Sequence, residues 1–143
     1  MKLLFWQWHS FMGKGVERAL QKLEVEYDTF FYQMKDWEED EIFAEQLEGR
    51  LATGQYNIVF SINFNPIISE VCEMHHIAYR AWVYDSPIHI RNLTPLKNTY
   101  TKAYFFDRGQ VLEYQKNGIA AEYLPLAADV ETFSSIAVSE QER

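Results

Sequence analysis

An apolar run of strand length that stops at a proline narrows most what this chain can fold into. Residues 57–65 read NIVFSINFN and are followed by Pro66. Ile58, Val59, Phe60, Ile62 and Phe64 form a nearly continuous apolar stretch. That is the pattern of a central parallel strand covered on both faces; a strand with one wet face would alternate. Residues 78–87, AYRAWVYDSP, end the same way at Pro87. Both runs begin with β-formers and stop at a residue that cannot continue a ladder. Polar residues gather at their ends: Ser61, Asn63 and Asn65 in one, Asp85 and Ser86 in the other. In an open α/β sheet, ligands sit in the crevice beyond the carboxyl ends of the strands. These ends are therefore where a site is expected.

The rest of the chain alternates around these two runs. Strands are predicted at 2–8, 26–32, 58–64, 78–84, 102–106 and 121–124. Helices are predicted between them. Ser10 caps a helix with Met12, Val16, Ala19, Leu20 and Leu23 at helical spacing; residues 37–52 carry Phe43, Leu47 and Leu51 on one stripe. Pro66 opens a third helix at its first turn, with Ile67, Ile68, Val71 and Cys72 buried. Residues 108–117 form a fourth, closed by Gly118. Such alternation implies βαβ units, a mostly parallel sheet and helices on both faces, an α/β doubly wound, Rossmann-like domain over residues 1–129. The connection 86–101 has no clear periodicity, and long unpatterned connections are often functional. Residues 130–143 turn polar and suit a linker or the start of a further domain.

Composition excludes several classes. The formal net charge is −8, and nucleic-acid binding needs clustered Lys and Arg, so no nucleic-acid partner is expected. The run DWEEDE at 36–41 reads as a solvated helix start, where carboxylates complement the dipole. Cys72 is the sole cysteine, which forbids an internal disulfide, and its apolar stripe suits a buried structural thiol. No segment has the length of a membrane span, and residues 3–6 are too short for a signal core, so a cytoplasmic location is expected. The sequon Asn92-Leu93-Thr94 is then incidental. Aromatic residues make up 16% of the chain, suited to filling the core or to lining a groove for a flat or ring-shaped ligand.

Known chemistries mostly fail. Gly13-Lys14-Gly15 follows the first strand, but a dinucleotide fingerprint needs a small residue where Arg18 stands, and no acid ends the second strand. A phosphate-cradling Walker loop is absent, and so are the paired acids of a receiver domain. The glycines are a tight turn that lets a ligand approach the helix N-terminus, or a packing turn. His75 and His76 are adjacent and cannot chelate one metal from a helix, so no metal site and no cofactor is expected. Asp85 and Asp107 both end strands; for Asp107, which precedes a helix, a capping role is the stronger reading.

Four segments then carry a resemblance: residues 58–66 (IVFSINFNP), 82–87 (WVYDSP), 104–107 (YFFD) and 123–129 (YLPLAAD). In this order they resemble the N-terminal domain of the CgeB/YkvP spore-protein type of bacterial glycosyltransferase-like proteins, over roughly residues 56–133. The resemblance implies a GT-B architecture, two Rossmann-like domains facing across a cleft. The C-terminal domain holds the nucleotide-sugar, and the N-terminal domain holds a carbohydrate or glycosylated acceptor. The chain then looks like half of such an enzyme, inactive alone, whether as part of a longer protein or as a natural single domain. Other readings are a non-catalytic binding or assembly domain and an unrelated flavodoxin-like or nucleotide-binding domain.

Position assigns the candidate site. His9, Ser10 and Gly13 follow the first strand, Asn63 and Asn65 end the third, and Asp85, Ser86 and His89 end the fourth. Asp85 is the expected base or acceptor-hydroxyl partner, with His89 second; Asp85 and Ser86 would equally organise the turn before Pro87. Apolar surface is expected around residues 123–128, where association between copies is favoured.

Overall fold

The computed structural model describes residues 2–8, 12–83 and 91–124. Its elements are β1 (Lys2–Gln7), α1 (Gly13–Lys22), β2 (Glu26–Phe31), α2 (Glu41–Leu51), β3 (Ile58–Ile62), α3 (Pro66–His75), β4 (Ala78–Val83), a 3-10 turn (Thr94–Lys97), β5 (Thr101–Phe105), α4 (Arg108–Lys116) and β6 (Ala121–Tyr123). The strands form one sheet in the order β2-β1-β3-β4-β5-β6, and every pairing is parallel. The expected Rossmann-like α/β fold is present, with β3 and β4 at its centre. The chain steps outward from β1 to β2 and then back past β1 to β3. The topological switch point therefore lies between β1 and β3.

Period-two alternation sends side chains to two cores. One face carries Leu4, Trp6, Val59, Tyr79, Ala81 and Phe105 against Phe43, Leu47 and Leu51 of α2, Ile68, Val71 and Cys72 of α3, and Val111 of α4. The other carries Leu3, Phe5, Ile62 and Trp82 against Met12 and Val16. Right-handed crossovers explain the imbalance: β1 to β2 runs one way, and every later step runs the other. Cys72 is fully buried, and burial pushes its thiol far above the ordinary range. It is the structural thiol expected. Tyr123, which ends the last strand pairing, and Leu124 just beyond it are exposed.

Several boundaries differ from expectation. The run at 36–41 does not open a helix. Asp36 accepts the Glu38 N–H at 2.8 Å in a local turn, and only Asp40 caps α2, accepting the Phe43 N–H at 3.0 Å. Trp37 is drawn instead into an aromatic cluster, 5.0 Å from Trp6 and 4.9 Å from Trp8. α1 starts at Gly13 after Met12, which makes no side-chain capping bond. β3 stops at Ile62 because Asn63 turns the chain with φ 67°. The 3-10 turn within the long connection carries no periodic signal of its own.

Candidate ligand-binding edge

Beyond the carboxyl end of β3, the segment Asn63-Phe64-Asn65 makes a sharp elbow into α3. Asn tolerates the left-handed backbone that Asn63 adopts better than most residues. Its N–H donates to the Trp82 carbonyl at 2.7 Å, and its carbonyl accepts the Ser61 hydroxyl at 2.7 Å. The Ser61 proton is thereby used. The Tyr79 hydroxyl, 2.6 Å away, then donates to Ser61 Oγ and accepts the Asn65 N–H at 3.0 Å. Tyr79 is fully buried, and desolvation drives its pKa far up, so it stays a neutral phenol. Asn65 caps α3: its Oδ1 accepts the Ile68 N–H at 2.9 Å, while its Nδ2 donates to the Trp37 carbonyl at 3.1 Å.

The end of β1 forms the other side of the switch point. Trp8 Nε1 donates to the Ile62 carbonyl at 2.9 Å, bridging β1 and β3 across the switch point. Trp6 Nε1 donates to the Tyr32 carbonyl at 3.0 Å and holds the end of β2. Gly13 opens α1 close to Gln7: a Cβ added there would stand 2.5 Å from Gln7 Oε1. Gln7 Nε2 in turn donates to Glu17. The glycine thus serves close packing at the helix start, whose first-turn N–H groups face this edge.

Carboxylates line the rim. An open cleft of about 510 Å³ lies between the starts of α2 and α3, lined by Glu38, Glu39, Asp40, Glu41, Ala44 and Ile67. Glu38 is mostly enclosed there. Its carboxylate accepts the backbone N–H of Arg91 at 2.9 Å and of Asn92 at 3.1 Å, and pairs with Arg91 Nε at 3.2 Å. The Glu38 N–H first, then Arg91, holds the Asp36 carboxyl below its usual range. This clasp ties the β2–α2 connection to the chain entering the 3-10 turn.

Of the predicted site residues, Gly13, Asn63 and Asn65 lie at this edge. His9, Ser10, Asp85, Ser86 and His89 fall outside the described residues. Asn63 and Asn65 are both buried, and the Asn65 side chain is committed to the helix cap and to Trp37. Asp107 caps α4, accepting the Gly109 N–H at 2.8 Å. His75 stands 3.8 Å from Glu48, His76 stacks on Tyr100, and no metal-binding cluster occurs among the described residues. Sequence reasoning missed Tyr79, although a phenol on a covered face of a central strand must find a partner. It also missed the Glu38 clasp, for which the sequence carries no local signal.

Fold and edge together define a doubly wound, all-parallel α/β domain whose switch point is bridged by Trp8, with an open cleft between the starts of α2 and α3. Comparison of the chain with protein-family models, with curated proteins and with solved structures found no match in any of the three. Among the described residues, no helix is long and apolar enough to cross a membrane.

Proposed function

We propose that this chain is the acceptor-side domain of a GT-B-type glycosyltransferase that works in the cytoplasm and transfers a sugar from a nucleotide-sugar. A second domain, outside this sequence, would hold the donor. The observation that carries the reading is the position of the FSINFNP segment: it is the elbow at the switch point, where ligands of such sheets bind. In this reading the α1 start around Gly13 and the Asn63 elbow face the acceptor. Asp85, with His89 as second choice, acts as base or hydroxyl partner, assigned by sequence position at the end of the fourth run.

The test is sugar transfer measured on two-domain protein and on the 143-residue chain. The chain alone is expected to be inactive, because catalytic group and donor are not held in register. Transfer by the chain alone at the rate of the two-domain protein would overturn the reading. Asp85→Asn in the two-domain protein should abolish turnover with folding intact; unchanged turnover removes Asp85 from the mechanism.

A second reading, a non-catalytic binding or assembly domain, is favoured by the commitment of Ser61, Asn65 and Tyr79 to internal hydrogen bonds. The length of the native gene separates the two. A reading frame that runs on for about 200 residues, one or two domains' worth, supports the enzyme.

A further inference from the structure

We propose that the half of the α1 face over β4 and β5 is a docking surface, and that its occupant is this chain's own segment 126–138. The proposal does not depend on the glycosyltransferase reading. Strand order makes the surface. From β2 onward each crossover steps the same way, which places α2, α3 and α4 on one face. Only α1 among the described helices lies on the other, packed through Met12 and Val16. A helix is about 10 Å across and strands are about 4.8 Å apart, so one helix covers two or three strands. Six strands leave a half without a described cover.

Alternation and register define what that half presents. Arg80 and Trp82 of β4, Lys102 and Tyr104 of β5 and Glu122 of β6 point this way, with Arg80 beside Lys102 and Trp82 beside Tyr104. Phe60 and Tyr104 are half-buried there. Trp82 is 6% exposed, yet its indole N–H is buried with no acceptor. Lys102 pairs with Glu122 at 2.8 Å, and Arg80 donates to the Tyr79 and Tyr100 carbonyls. The surface is thus an apolar strip with one unmet donor.

The segment fits each of these features. The described chain leaves the sheet beside β5, where the Leu124 N–H donates to the Phe105 carbonyl at 2.7 Å. Beyond it, Leu126, Val130, Phe133 and Ala137 recur at the spacing of one helix stripe. Ser134 falls on the same stripe and offers a hydroxyl to the Trp82 indole. A helix over 126–138 would be about 20 Å long. Strands of five or six residues span about 17–20 Å, so the lengths agree.

The experiment places a nitroxide label on Ser135→Cys in the 143-residue chain, leaving Cys72 native because its thiol is buried. Paramagnetic broadening is then read by NMR. The expected result is loss of the amide signals of Arg80, Trp82, Lys102 and Tyr104 and of the Trp82 indole signal, with Phe43 and Leu47 on the opposite face retained. Adding Phe133→Asp should restore the lost signals, while the retained ones report that the domain stays folded. Three results would overturn the proposal: no broadening at β4 and β5, broadening that survives Phe133→Asp, or broadening seen only between labelled and isotope-labelled copies, which would make a second chain the occupant.

Discussion

On one face of the sheet, three helices set Phe43, Leu47, Ile68, Val71 and Val111 against Leu4, Trp6, Tyr79 and Phe105. On the other, α1, the one described helix there, and its cap residue set Val16 and Met12 against Leu3, Phe5 and Ile62. The first face is sealed and also carries the buried polar chain Ser61–Tyr79–Asn65, so the elbow at the ligand edge is fixed from that side. The second mixes aromatic residues with Arg80, Lys102 and Glu122, the last two paired at 2.8 Å. Burial of apolar area is the dominant favourable term in folding. Stability should therefore reside mainly in the sealed face, while the other is suited to taking a cover.

The largest test of this contrast is truncation of one core residue on each face. Phe43→Ala removes a fully buried ring and should cost about 3–5 kcal/mol. Met12→Ala should cost about 2 kcal/mol, at the low end, because a core one helix thick collapses more readily onto the gap. Urea midpoints measure both, and an equal or greater loss at Met12 would break the comparison.

A smaller effect is expected at the buried hydroxyl. Tyr79→Phe keeps the ring but strands the Asn65 N–H and takes one incoming hydrogen bond from Ser61 Oγ, which still donates to the Asn63 carbonyl, for about 1–3 kcal/mol. Amide exchange should accelerate at Asn63 and Asn65 and stay unchanged in α1. Uniform acceleration across both faces would show that the elbow is not held from the sealed side alone.

On the α1 side, Gly13→Ala should change stability by less than about 1 kcal/mol. The gain in helix propensity offsets the displacement of the Gln7 side chain. In a Gln7→Ala background the same substitution should be more favourable, since the obstruction is gone; a double-mutant cycle with no coupling would refute this packing role.

The smallest effect lies at the amino end of the sheet, opposite the ligand edge. The Tyr56 hydroxyl first, then Lys2, holds the Asp28 carboxyl below its usual range. A lowered folded-state pKa gives stability that is present above the ordinary value of about 3.9 and fades as pH falls through the folded value. Stability-against-pH curves of the native chain and Tyr56→Phe should differ above that range and converge in acid. Parallel curves would remove the bond from the account.

Much was legible from residues a few positions apart. The continuous apolar run announced β3, Asn65-Pro66 announced the start of α3, Asp107 announced its cap, and Gly118 adopts the φ of 81° expected just past α4. Each of these depends on backbone groups within one helical turn, so local chemistry alone determined it. Tertiary structure decided the rest. The carboxylates at 36–41 satisfy a helix start equally well on paper, but Trp6, Trp8 and Trp37 packing together and Glu38 reaching Arg91 and Asn92 delayed the helix to Glu41. Strand order, the location of the switch point and the unequal covering of the two faces arise from pairings between distant residues. Their free energy appears only when both partners are in place, and no local stretch of the chain carries it.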